Sequence, residues 1–358
     1  MTLSTPLLAA GPLLAGLIGP ALLGATPGHQ QAVPAAVAPA HVSGRSDVVE
    51  HVAARSAADQ RRVLGYWTPE RMAKALPIGL LGVVTGLTDG VTGRTGLLSA
   101  PGAPGGPADL TLARRLMGTR HLAAARPQAS TIGSRWMTGG LVSRTTGRVF
   151  LTVAGNDFVC SASTVRSANK DVVVTAGHCV KDGAGEWAAN WTFVPGYDRV
   201  GPAHPYGRYT ARRMFVAGPW SRSGDDNFDV GMVALATSRG RHVADVVGTQ
   251  EIGFNADRGG QAFGFGYPAD PPYDGNHLVY CAGRLKKDPY NQTKDQGLGC
   301  DMTAGSSGGP WLTRFDTVTG KGTITSLSSF KYSDDRRTMY GPYFGDAVKD
   351  IFGTAERA

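Results

Sequence analysis

From about residue 147 onward the chain alternates short apolar runs with turn residues. Runs at 148–153, 158–164, 171–175, 191–194, 212–216, 229–236, 261–266, 278–282, 310–313 and 323–329 are rich in Val, Phe, Leu and Thr, with Gly, Asn, Asp and Pro between them. That spacing predicts an antiparallel all-β barrel or sandwich. At the end the pattern changes period: Ala347, Val348, Ile351 and Phe352 recur at helical spacing and predict an amphipathic helix over 345–358.

The upstream half reads differently. Apolar and charged residues at helical spacing over 48–64, behind Ser46 and Asp47, predict a helix. A second helix is predicted to start at 67–72, with Thr68 as N-cap and Pro69 in the first turn. Residues 96–107, with three prolines and four glycines interleaved, predict a loop, and 26–47, rich in Ala, Pro, Gln and His, a linker. Between Leu7 and Ala25 the chain is almost wholly apolar or small, as in the core of a secretory signal. No Lys or Arg precedes it, but Gly11, Pro12, Gly16, Gly19 and Pro20 suit a spanning helix poorly. The apolar stretch at 76–84 is too short to span a bilayer. The expected organisation is therefore a signal peptide and linker over 1–40, a pro-region over 41–130 and a β-rich domain over 131–358, with processing between Arg126 and Arg144.

Composition narrows the class. Hydrophobic residues make up 42% and charged residues 18% of the 358, and 50 glycines with 22 prolines suit many turns. The formal charge of +8 is scattered, with no basic run longer than a pair such as Arg61-Arg62, so it reads as a solvated surface and no nucleic-acid partner is expected. The four cysteines, Cys160, Cys179, Cys281 and Cys300, include no C-x-x-C pair, which removes support for a zinc or redox motif. In an exported chain they imply two disulfides, with three connectivities open.

Three segments carry chemistry. Serine attack on an amide needs an imidazole to take the hydroxyl proton, a carboxylate to fix that imidazole, and N–H donors for the oxyanion. Gly305-Ser306-Ser307-Gly308-Gly309-Pro310 supplies a serine in a tight glycine turn that can aim the N–H groups of Gly305 and Ser307 at one point. Val172-Val173-Val174-Thr175-Ala176-Gly177-His178-Cys179 delivers a histidine from the end of a buried strand. Asp229 heads the apolar run 230–235 and needs a partner if buried; Asp225 and Asp226 are its competitors. Chain order discriminates among hydrolase types. No histidine follows Ser307, which excludes the α/β-hydrolase order despite the G-x-S-x-G match at 305–309. The order is His178, Asp229, Ser307.

In these residues the chain resembles the chymotrypsin-like serine peptidases, in their bacterial secreted branch. Thr175-Ala176-Gly177-His178-Cys179 is similar to the family's histidine box, Asp229-Val230-Gly231-Met232 to its aspartate box, and 305–310 to its serine box. The resemblance covers about 147–358. It implies an all-β fold of two six-stranded antiparallel β-barrels with a C-terminal helix, behind a partly helical, partly disordered pro-region. It implies His178, Asp229 and Ser307 as catalytic residues and Gly305 and Ser307 as the oxyanion hole. It also implies a Cys160–Cys179 disulfide beside the histidine, with Cys281 and Cys300 then pairing in the second barrel. Asp301, six residues before Ser307, matches the position that selects basic residues in trypsin-like members. Ser326 and Ser328 are expected to offer backbone groups to an extended substrate. Where animal members carry Asp before the nucleophile, this chain has Ser306, which cannot pair with a new N-terminus. The expected protein is a secreted, monomeric serine endopeptidase acting on proteins or peptides. No metal or organic cofactor is implied, and no stable membrane association after signal cleavage. The competing reading is a catalytically silent homologue that binds a partner.

Overall fold

The computed structural model describes residues 47–78, 130–198 and 204–358. The expected signal at 7–25, the linker at 26–46, the 96–107 loop and most of the 76–84 stretch lie outside the described residues.

Six strands close into a barrel: Tyr209–Ala217, Ala189–Pro195, Thr146–Val153, Asn156–Thr164, Val172–Thr175 and Gly231–Leu235, with the last pairing back onto the first. All of these barrel pairings are antiparallel. Val172–Thr175 and Gly231–Leu235 are buried at every position, which is why they read as unbroken apolar runs rather than as alternating strands. Phe150, Phe193, Phe215 and Leu151 are among the largest fully buried side chains here.

The second half is built on a six-stranded sheet ordered Glu251–Ile252, Lys321–Leu327, Pro310–Asp316, Gln261–Gly266, Val279–Arg284, Ser130–Arg135. Beside it lies a three-stranded sheet of Lys286–Lys287, Gln296–Gly299 and Thr338–Gly341. The fold is chymotrypsin-like. The terminal helix, Asp346–Ala355, buries Val348, Ile351 and Ala355. It is held against the barrel by Asn169 and Arg212, whose side chains donate to the last carbonyls: Asn169 Nδ2 to Ala355 O at 2.9 Å and Arg212 to Ala358 O at 2.8 Å.

The upstream segment 47–78 is packed on the first barrel. Val48–Val52 is a strand, not the start of a helix, and pairs antiparallel with Tyr209–Ala217. The helix begins later, at Ala57–Tyr66, because Ser56 and Asp59 form a capping box there. Thr68 caps the second helix, Pro69–Lys74, with Pro69 in its first turn. Trp67, between the helices, is 2% exposed and donates its indole N–H to Asn190 O at 2.6 Å. The segment then lays Leu76–Pro77 parallel to Asn156–Thr164, Leu76 opposite Phe158 and Pro77 opposite Val159.

Candidate active site

The strand Val172–Thr175 ends in a single 3-10 turn, Gly177–Cys179, that presents His178. Asp229 follows the 3-10 turn Asp226–Phe228 and holds the histidine twice. Its Oδ1 accepts the His178 backbone N–H at 2.8 Å, and its Oδ2 lies 2.8 Å from Nδ1. Ser329 donates its hydroxyl to the same Oδ2 at 2.5 Å. A buried carboxylate is costly unless donors surround it, and these three supply that shell. Burial would push the Asp229 carboxyl up, but the His178 charge and the bonds from His178 and Ser329 leave it below the ordinary range. Burial likewise opposes a charged His178 ring, yet the Asp229, Asp226 and Asp182 charges together raise it above its ordinary value.

The serine turn meets the histidine turn at Gly308. Its φ is +79°, and a Cβ there would overlap Thr175 Oγ1, the Ser161 carbonyl and the Ala176 nitrogen, so only glycine lets the segments approach this closely. Ser161 donates its backbone N–H to Ser307 O at 2.7 Å, and Gly308 N–H reaches Ser328 O at 2.7 Å. His178 Nε2 and Ser307 Oγ are both buried and have no hydrogen-bond partner among the described residues. Such bonds are often loose without substrate and tighten around the reacting group. The structure thus brings the His178, Asp229 and Ser307 segments to one place. It leaves Asp225 bonded within its own turn, to Asn227.

Disulfides join Cys160 to Cys179 and Cys281 to Cys300. The first ties the strand beside Ser307 to the residue after His178. Cys160, His178 and Cys179 also lie close enough to suggest a metal group. They do not fit one: both sulfurs are consumed in the disulfide and offer no thiolate, and His178 Nδ1 is engaged by Asp229.

The expected substrate-contact residues have these surroundings. Ser326 and Ser328 are fully buried and spent on the protein itself. Ser326 donates to Pro342 O at 2.9 Å. Ser328 Oγ accepts the Trp311 indole N–H at 3.0 Å, and its backbone N–H donates to Gly309 O. Ser329, which sequence reasoning passed over, contacts Asp229. Asp301 Oδ1 accepts the Gly133 N–H and the Tyr273 hydroxyl, both at 2.6 Å. Nearby, the Lys331 ammonium donates to Cys300 O and Arg336 O. Burial pushes Lys331 down to about 8, against the pull of the Asp301 and Asp335 charges.

A cleft beside the histidine is lined by His178, Asp182, Trp220, Asp226, Asp229, Phe330, Phe158 and Ile78. Ile78 belongs to the upstream segment, and its N–H bonds to Val159 O at 3.3 Å. No helix among the described residues is long and apolar enough to cross a membrane.

A closed β-barrel joined to a second sheet, with an Asp-held histidine against a serine turn, defines a serine-type endopeptidase. The trypsin family model matches residues 137–344, and the chain belongs to that family. Among solved structures, the chain is similar to the protease Anisep from Arthrobacter nicotinovorans, at 39% identity and a TM-score of 0.58, over 63% of this chain and 99% of that one. It is also similar to the thermostable serine protease AL20 from an extremophilic microorganism, at 37% identity and a TM-score of 0.57, over 61% and 99%. A Glu endopeptidase, 17% identical with a TM-score of 0.51 over 64% of this chain and 98% of that one, shares the fold. A 75-residue stretch is 40% identical to the extracellular metalloprotease of Bacillus subtilis (strain 168) and covers 21% of this chain. The chain thus spans about a quarter (23%) of that relative's length.

Proposed function

We propose that the protein is a secreted serine endopeptidase that works through an acyl-enzyme, with Ser307 as nucleophile, His178 as general base and Asp229 as its orienting carboxylate. The observation that carries this is the His178 ring, fixed at Nδ1 by Asp229, with its other nitrogen buried and unpartnered beside the Ser307 turn. The Ser307 hydroxyl adds to the scissile carbonyl and gives its proton to His178 Nε2. Asp229 stabilises the imidazolium that forms, and the N–H groups of Gly305 and Ser307 receive the oxyanion. Collapse breaks the C–N bond, and the leaving amine takes the proton from His178. Water, deprotonated by His178, then releases the acid.

In this reading residues 47–78 are the docked part of a pro-region. The family match begins at residue 137, and the Anisep and AL20 chains, each covered over 99% of its length, account for only 63% and 61% of this one. The upstream segment is thus additional to the catalytic unit; Leu76–Pro77 pairs with Phe158–Val159, and Ile78 lines the cleft beside His178. While docked it obstructs extended substrates. Two disulfides fit an oxidising compartment.

The test is labelling with a fluorophosphonate, together with a peptide-library digest. The expected result is one adduct on Ser307, with labelling and cleavage both absent in Ser307→Ala. A folded, processed protein that takes no label supports the silent binding homologue instead.

A further inference from the structure

The turn that carries the expected oxyanion donors is gripped from outside by groups that the triad chemistry does not use. Two peptide planes flank Gly305. In the first, Ala304 O accepts the Ala269 N–H at 2.7 Å. A trans peptide points its C=O and N–H in opposite directions, so the Gly305 N–H faces away from the 267–269 wall. In the second, Gly305 O accepts the Ser161 hydroxyl at 2.9 Å. The same hydroxyl accepts the Tyr267 N–H at 2.9 Å. Gly305 has φ +93°, and a Cβ would lie 2.8 Å from Tyr267 O, so the turn is pressed against this wall. Among the described residues the N–H groups of Gly305 and Ser307 donate to nothing. Ser306 is turned inward, its hydroxyl on Thr303 O at 2.7 Å, and supplies no outside anchor.

We propose that Ser161 is the positioning residue of the oxyanion hole. Its hydroxyl links the Gly305 carbonyl to the Tyr267 N–H and holds the left-handed turn in the form that leaves the Gly305 N–H without an acceptor among the described residues. Its backbone N–H secures the Ser307 carbonyl at the same time, so one residue sets both sides of the nucleophile. The turn is thereby organised by a neutral hydroxyl from the neighbouring barrel rather than by a charged group within it. This rests on the peptidase reading above.

The test compares Ser161→Ala and Ser161→Thr with the parent in the processed enzyme. Ser161→Ala keeps the backbone bond to Ser307 O and removes the hydroxyl; Ser161→Thr restores it. Loss of one oxyanion donor costs roughly 10²–10³ in kcat. A donor that is merely less well aimed costs less, so we expect Ser161→Ala to lower kcat about 10- to 100-fold with KM within about twofold. A peptide aldehyde, which forms an oxyanion when bound, weakens in proportion, and the corresponding peptide acid, which forms none, keeps its affinity. Ser161→Thr recovers most of kcat. A thermal melt accompanies each variant. Lower stability with unchanged kcat and unchanged aldehyde affinity overturns the proposal, as does equal weakening of aldehyde and acid. If the parent itself takes no fluorophosphonate label, the peptidase reading fails, and this assignment with it.

Discussion

Trp67 is the anchor through which the upstream segment can be released. Its side chain is 2% exposed, lies 5.5 Å from the Phe150 ring between centroids, and donates to Asn190 O. Truncating a buried Trp to Ala costs about 3–5 kcal/mol. If that cost falls on docking, the open-to-docked ratio rises by roughly 10² to 4 × 10³ at 1.4 kcal/mol per decade. Other contacts hold the segment too: Val48–Val52 pairs with Tyr209–Ala217, Met72 is buried, Arg222 pairs with Asp47 at the exposed surface, and Arg208 donates to Leu64 O and Trp67 O. Trp67→Ala in the full chain is therefore expected to raise kcat/KM on a long peptide toward the processed enzyme's value. Hydrogen exchange on the Ser307→Ala background, which cannot cut itself, is expected to show faster exchange at Val48–Val52 and Ile78. Release of these amides without a gain in hydrolysis would refute the obstruction argument, because the segment would then dock without blocking. No release and no gain would refute the anchoring argument.

Asp226 lies in the cleft with His178, and burial pushes its carboxyl up to about 6, aided by Asp229 and opposed by His178. Its negative charge favours the protonated ring, and hydrolysis needs the neutral ring. Asp226→Asn should therefore move the acid limb of kcat/KM to lower pH; a shift to higher pH in the measured profile would contradict the electrostatic account. Each disulfide spans 19 residues, so the loop-entropy model assigns each about 3 kcal/mol. Double Cys→Ala variants should lose similar stability in urea, while kcat should fall mainly for the pair at Cys160 and Cys179, which borders His178; equal losses of kcat would argue against a role for that pair in placing the histidine. Asp301 is engaged by Gly133 and Tyr273 and faces the Lys331 charge. A peptide-library digest should show no dominant Arg or Lys preference, and a strong preference abolished by Asp301→Asn would overturn this.

What could be read from the sequence depended on how local each cause was. The three candidate segments, which the fold brings together, could be picked out because each sits on a short local motif: a buried run ending in His178, an Asp before an apolar strand, a serine among glycines. The cap at Thr68 and Pro69 was legible for the same reason. Val48–Val52 was not. Its apolar and charged spacing fits a helix, and only the edge of Tyr209–Ala217, about 160 residues away, makes it a strand; the real helix signal was the Ser56–Asp59 box just downstream. Ser161 was invisible in principle, since nothing in its neighbourhood marks a hydroxyl that will meet Gly305 and Tyr267 from a different sheet.

The serines at 326, 328 and 329 show a finer limit. All three are buried, and composition does not distinguish them. Ser326 and Ser328 are spent on Pro342 and Trp311, while Ser329 reaches Asp229. Neighbouring side chains of extended chain point to opposite sides, so an error of one residue exchanges a structural role for one at the site. The register that decides between them is set by Pro310–Asp316 pairing with Lys321–Leu327, with shifts in register along the pair. Motifs therefore name the chemistry of such a site, while the groups that hold it are assigned by strand pairing across the molecule.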